Sequence, residues 1–244
     1  MKRILRELDP FCLIQTEIDH SENRPAESVM SLGNGYMGAR GNYEEDYTGD
    51  TLKGIYIAGV WMPDKTRVGW WKNGYPRYFG KVINAPDFLM FHLSVNGRRI
   101  DLAQTPIETF RRVIDMRTGV MEREMVLRTE SGRLKIVSSR FFSIDTKQIA
   151  CMTYSVTALD DVGFVTIETG LDANVKNSDA NYGDQFWVLR ALEGGDRLYL
   201  ESETMENSFD VPRFAVGFTS HAHCMEDSVR QSCIQGERCV FPRF

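Results

Sequence analysis

The sequence predicts an all-β fold, a large two-sheet antiparallel β-sandwich with few short helices. Three observations carry that prediction. Apolar residues recur with period two along much of the 244-residue chain, helical periodicity is scarce, and glycine or asparagine turns separate the runs at hairpin spacing. Ala150 to Ala158 alternates most cleanly, with Ala150, Met152, Tyr154, Val156 and Ala158 on one face and Cys151, Thr153, Ser155 and Thr157 on the other. Phe214 to Cys224 repeats the pattern: Phe214, Val216, Phe218, Ala222 and Cys224 share a side, opposite Thr219, His221 and His223. Between Phe88 and Leu102, Asn96-Gly97 is the dipeptide that a two-residue type I′ hairpin requires. It sets Val95 opposite Arg98, Leu93 opposite Ile100 and Phe91 opposite Leu102. Thr118-Gly119, Glu130-Ser131-Gly132 and Gly194-Gly195 mark further hairpins. The polar, Asn-rich run from Asp172 to Asp184 reads as a long surface loop, and Val240 to Phe244 as a strand still in progress. No linker, composition shift or repeat divides the chain, so residues 1–244 are expected to form a single domain.

Composition narrows the function classes. A formal charge of -5 disfavours nucleic acid or an anionic membrane surface as partner, since both reward clustered Lys and Arg. The five cysteines, Cys12, Cys151, Cys224, Cys233 and Cys239, are odd in number and lack CxxC spacing, which fits reduced thiols in a cytoplasm. Lys2, Arg3 and Arg6 are followed by no apolar run, no N-x-Ser/Thr acceptor occurs, and nothing approaches the ~18 apolar residues of a membrane span.

Glycines are densest from Glu27 to Trp61. Gly33, Gly35 and Gly38 spell G-x-G-x-x-G, yet Ala39 to Asp46 follows where a dinucleotide site would open a helix, so that reading is rejected. The structural reading is positive φ or close packing at Gly35, Gly38 and Gly41, with Asn34 and Arg40 bonding loop carbonyls and carboxylates; Arg40 suits a loop-internal role or an interface role equally. Glu44, Glu45 and Asp46, and Asp160 with Asp161, read as the acids of turns and exposed loops rather than as catalytic carboxylates. Trp70, Trp71 and Tyr75 lie in a glycine- and proline-punctuated stretch that does not alternate. They fit a sandwich edge or subunit contact, or alternatively a sugar-stacking mouth. His221 and His223 share a face at metal-compatible spacing, but Cys224 points away, so no metal site is expected. His20 and His92 read as surface or loop residues.

The order Asn34-Gly35, Gly38, Arg40-Gly41-Asn42, Gly54-Ile-Tyr-Ile-Ala-Gly59-Val, Asp115-Met-Arg-Thr-Gly119-Val and Ser139-Arg-Phe141 resembles the amino-terminal domain of glycoside hydrolase family 65, which includes the maltose, trehalose and kojibiose phosphorylases. The resemblance covers most of the chain and fades after about Asn174. It implies a super-sandwich of the galactose-mutarotase-like kind that does no chemistry itself and braces a downstream catalytic (α/α) barrel. It further implies a parent enzyme that cleaves an α-glucosidic disaccharide, with inorganic phosphate as co-substrate and no other cofactor, and a homodimer surface. Inverting phosphorolysis needs a carboxylic acid at the leaving oxygen while phosphate attacks the opposite face. Two other readings share the sandwich. A free-standing carbohydrate-binding module is one; a mutarotase-like epimerase, with His221 or His92 beside a buried Glu, is the other.

Overall fold

The computed structural model describes residues 7–66, 74–177, 185–224, 233–235 and 238–240. All strand pairing is antiparallel. The largest sheet runs β1 (Glu7–Asp9), β2 (Cys12–Gln15), β10 (Ile107–Asp115), β11 (Val120–Thr129), β12 (Gly132–Phe142) and β13 (Ala150–Ala158). A five-stranded sheet runs β18 (Cys233–Gln235), β19 (Arg238–Val240), β14 (Val165–Asp172), β8 (Phe91–Val95) and β9 (Arg98–Arg99). Three smaller ladders complete the fold: β15 (Trp187–Glu193) with β16 (Leu198–Thr204) and β17 (Ala215–Ser220); β3 (Leu32–Gly33) with β4 (Met37–Ala39) and β5 (Ile55–Ile57); and β6 (Trp61–Lys65) with β7 (Tyr78–Val82). Among the described residues a 3-10 turn (His20–Glu22) and one short α-helix, α1 (Asn23–Val29), precede β3. The chain is thus all-β and sandwich-like, with the second layer broken into several ladders.

Period-two patterning builds the core. On β11 and β12 the inward set Met125, Leu127, Leu134 and Ile136 is fully buried and meets Leu93 and Val95 of β8 with Ile100 and Leu102. Exposure along β13 alternates as the sequence predicts, except that Ala158 at its end is exposed. All three further turn signals close hairpins, joining β10 to β11, β11 to β12 and β15 to β16.

Asn96 (φ 48°) and Gly97 (φ 78°) make the expected turn, with Val95 paired to Arg98 and Ile100 N–H donating to Leu93 C=O at 2.8 Å. The third expected pair does not form. Phe91 N–H donates to Glu44 C=O (2.8 Å) and Leu102 N–H to Asp46 C=O (2.9 Å), so the loop carrying those acids takes both places and β9 stops at Arg99.

Two other expectations need correcting. The strand β17 ends at Ser220, leaving exposed His221 and His223 beyond it, because His221 Nδ1 bonds to Asp196 C=O (2.8 Å) in the β15–β16 connection. The segment after β14 is only partly a surface loop, since Asn174 and Lys176 are exposed but two of its residues are not. Ala173 and Asn177 are buried, and Asn177 bonds Asn84 N–H (2.8 Å) and Val82 C=O (3.0 Å). Residues 178–184 and 241–244 lie outside the described residues.

Candidate functional site: a motif loop on a row of buried arginines

Strand alternation puts three guanidinium groups on the inner face of the large sheet. Arg112 on β10 pairs in register with Arg123 on β11; Arg140 on β12 shares the inward phase of Ser138, which faces Arg123. All three are at most 3% exposed. Neighbouring buried cations are strongly unfavourable unless acids and hydrogen bonds compensate them.

The loop following β4 supplies the compensation. Arg123 grips Glu45 with both terminal nitrogens (2.7 and 2.6 Å) and reaches Glu44 Oε2 at 2.9 Å. Arg140 binds Glu44 Oε1 (3.2 Å) and donates to the carbonyls of Asn42 (3.1 Å) and Arg40 (3.0 Å). Arg112 has no carboxylate in its hydrogen-bonding set. It donates to Gln15 Oε1 (3.2 and 2.7 Å) and to Gly41 C=O, and lies 5.2 Å over the Tyr43 ring. Tyr154 of β13 donates to Glu45 Oε1 at 2.7 Å.

Electrostatics follow from this geometry. Burial opposes the Glu44 carboxylate, but Arg123 and Arg140 outweigh it and hold its pKa below the usual range. Burial likewise opposes the Arg123 cation, and Glu44 with Glu45 push it the other way, above its ordinary value. Arg112, without such a partner, is pushed down by burial to about 10. The phenols of Tyr43 and Tyr154 are raised, burial being the main cause, and Tyr47 is pushed up to about 12 for the same reason.

A second set of contacts fixes the motif's flanks. Glu27 of α1, fully buried, accepts from Asn23 Nδ2 (2.9 Å), Leu52 N–H (2.8 Å) and the Thr51 hydroxyl. Arg40 lies 3.8 Å from Glu27 and donates to Leu52 C=O (2.8 Å) and Arg24 C=O (3.0 Å), so it joins α1 to the segment before β5. Asn42 bridges Leu52 C=O and Gly54 N–H; Asn34 donates to Ser143 C=O (2.6 Å) and Lys147 C=O (2.9 Å) while capping Tyr36 and Met37. Gly35 has φ +82°. A Cβ on Gly41 would lie 2.6 Å from Met30 Cβ and 2.7 Å from its carbonyl oxygen, and one on Gly38 3.1 Å from Leu32 C=O.

The expectation that Glu44 and Glu45 sit in an exposed turn is therefore wrong: they are 5% and 1% exposed because the arginine row draws them inward. His92 is likewise buried rather than a loop residue. Its Nδ1 meets Asp46 at 3.0 Å, and Glu168, opposite in register on β14, is engaged by Arg99 (3.4 Å). An imidazole and a mostly buried Glu are thus adjacent, but His92 is hydrogen-bonded to Asp46 and Glu168 is paired with Arg99. His20 bonds Tyr47 Oη at 2.9 Å. Asp160 pairs on the surface with Arg133, which lowers its pKa to about 2. Trp70 and Trp71 lie outside the described residues; Tyr75 is exposed, just before Tyr78, which stacks on Trp61. Among the described residues no group of three or more His, Cys, Asp or Glu is placed to hold a metal, and no helix is long and apolar enough to cross a membrane. A shallow groove of about 250 Å³ beside the motif is lined by Gly35, Tyr36, Met37, Tyr56, Gly59 and Val82 among others. A cleft of about 370 Å³ elsewhere carries Glu17, His20, Gln104 and Glu108.

Fold and site together define an all-β domain whose Asn34, Arg40 and Asn42 fasten its own loop. The chain belongs to glycosyl hydrolase family 65, whose N-terminal domain model matches residues 13–238. It is 46% identical over 242 residues to maltose phosphorylase of Bacillus subtilis (strain 168), covering 98% of this chain and 32% of that protein. It is 33% identical over 170 residues to kojibiose phosphorylase of Escherichia coli (strain K12), 69% of this chain and 20% of that one. Among solved structures, a putative kojibiose phosphorylase from human microbiome superposes with TM-score 0.83 at 23% identity, over 98% of this chain and 30% of that chain, a likeness of fold. The chain spans about a third of the length of the B. subtilis relative.

Two predictions follow from the arginine row. Arg123→Met leaves Glu45 buried without its cation and Glu44 with Arg140 alone, and lowers unfolding free energy by about 3–5 kcal/mol in denaturant titration. Because unpaired buried carboxyls hold their protons more tightly than in the unfolded chain, the deficit narrows as pH falls towards about 4. On the alkaline side, the raised phenols of Tyr43, Tyr47 and Tyr154 favour the folded state below about pH 10, and that contribution is lost as pH climbs towards 12. The melting temperature should fall through that window, with late phenolate absorbance at about 295 nm appearing together with unfolding.

Proposed function

We propose that the chain serves as the non-catalytic N-terminal domain of a cytoplasmic enzyme that cleaves an α-glucosidic disaccharide by inverting phosphorolysis, with inorganic phosphate as co-substrate. One observation carries the reading: the acids of the motif are sequestered. A general acid must reach the leaving oxygen and keep a proton near neutral pH. Glu44 has the opposite properties, being buried and held ionised by Arg123 and Arg140. The three guanidinium groups of the arginine row are turned inward onto Glu44, Glu45, Gln15 and loop carbonyls, away from any phosphate in solvent. The names of the similar proteins, maltose and kojibiose phosphorylase, support phosphorolysis as the reaction of the whole enzyme.

In that enzyme the domain braces the catalytic domain and contributes to a homodimer. The apolar groove beside the motif, with Tyr36 and Val82 exposed, supports a bracing contact. The stretch with Trp70, Trp71 and Tyr75 meets either the substrate entrance or another subunit.

Two experiments test this. The purified 244-residue chain, given phosphate and maltose, trehalose, kojibiose or nigerose, should release no glucose 1-phosphate. Turnover that disappears when one of the chain's own acids is neutralised would overturn the proposal. In the complete enzyme, Trp70→Ala with Trp71→Ala separates the two roles of that stretch: a raised Michaelis constant for the disaccharide marks the entrance, and an altered oligomer or melting point marks a contact.

A further inference from the structure

The large sheet ends on β13, and this edge differs from the others. Every other edge strand described is short, bulged, or interrupted by proline, glycine or charge: β1, β5 and β18 have three residues, β3 and β9 two, β15 carries Arg190, Glu193 and a register shift, β6 contains Pro63, and β7 and β17 contain Gly80 and Gly217. The strand β13 runs nine residues with none of these features. Sheets blunt long exposed edges with such devices because unpaired N–H and C=O groups recruit a further strand. An unblunted edge of this length marks a place where a strand is meant to add.

The phase of the backbone shows which groups are offered. Leu159 N–H donates to Arg133 C=O and Ser143 N–H to Ile149 C=O, so odd-numbered residues turn their polar groups towards β12. Ala150, Met152, Tyr154, Val156 and Ala158 turn theirs outward, where no described residue's backbone meets them. The side chains add a second observation. About Tyr154 the strand reads nearly the same in both directions: Thr153 matches Ser155, Met152 matches Val156, Cys151 matches Thr157 and Ala150 matches Ala158. An antiparallel strand pair with its two-fold axis at Tyr154 sets these matched residues opposite each other. Hydroxyl then faces hydroxyl at 153 and 155, apolar faces apolar at 152 and 156 and at 150 and 158, a thiol faces a hydroxyl at 151 and 157, and no charges meet.

We propose that β13 is a self-pairing edge: two copies of the chain join their β13 strands antiparallel about Tyr154, merging two six-stranded sheets into one. This specifies the homodimer contact proposed above, and its test uses no turnover, so the two readings fail separately. A single ladder of this length lies at the low end of specific interfaces, which gives an association on the order of micromolar.

Thr153 and Ser155 are exposed and point to solvent from the monomer, so charges placed there report on pairing rather than on the core. In the dimer, residue 153 faces the partner's residue 155. The double substitution Thr153→Lys, Ser155→Lys sets like charges opposite one another; Thr153→Lys, Ser155→Glu sets opposite charges there. Both lose the 2.8 Å Ser139–Thr153 hydroxyl bond equally. By sedimentation of the 244-residue chain, the unaltered protein should show a concentration-dependent dimer. The Lys/Lys variant should raise its Kd about tenfold or more, and the Lys/Glu variant should keep it within about threefold. Equal circular dichroism and melting temperature in the two variants establish that the fold is intact. The proposal is overturned by an unaltered chain that stays monomeric up to about 100 µM, by a dimer indifferent to Lys/Lys, or by equal loss in both variants, which would refute the Tyr154 register.

Discussion

The gripping of Glu44 and Glu45 by Arg123, with Arg112 and Arg140 alongside, is the constraint on which the rest of the structure depends. It decides more than the position of two acids. The same loop offers Glu44 C=O to Phe91 of β8 and Asp46 C=O to Leu102, and Asp46 forms a bridge with Asp101. One seven-residue segment, Gly41 to Tyr47, therefore touches the large sheet through side chains and the facing layer through its backbone. An apolar core alone holds two layers together without fixing their lateral registration; a bidentate ion pair buried between them does fix it. The asymmetry of buried pairs reinforces this, since a lone charge in the interior is far worse than none.

The glycine-rich motif is the counterpart of that ion pair. Gly41 lets the loop lie directly on Met30 at the end of α1, and its N–H bonds Glu27 C=O at 2.7 Å. Asn34 and Asn42 then take up carbonyls and amides that the irregular backbone would otherwise leave unsatisfied. Asn34, Arg40 and Asn42 all bond groups of their own domain, which favours a rigid loop over a mobile one.

Much of the fold was legible because β-structure imposes a period of two, and Asn96-Gly97 admits few backbone conformations. The hairpins joining β10 to β11 and β11 to β12 follow from that period together with the turn residues Thr118-Gly119 and Glu130-Ser131-Gly132. The continuation of β9 was not legible, because a third segment 47 or more residues earlier competes for Leu102 and Phe91, and local pattern carries no trace of that competition. The burial of Glu44 and Glu45 was missed for a different reason. Clustered acids usually occupy turns, and their partners lie 78 to 96 residues away. A signal did exist: Arg112 sits in phase with Phe110 and Ile114, Arg123 with Met121 and Met125, and Arg140 with Ser138 and Phe142. Three arginines in the inward phase of three consecutive strands demand buried acids, and Glu44-Glu45 is the adjacent acidic pair nearest the glycine motif.

The distance along the chain between those acids and their arginines has a consequence for biosynthesis. At roughly 5–20 residues per second, a ribosome that has released Glu44 needs about 5 to 20 s before Arg140 follows. For that interval the nascent segment is an unneutralised anionic loop with no place to dock. The amino-terminal quarter of the polypeptide must stay open until the central meander emerges, which orders assembly from the middle of the chain outward.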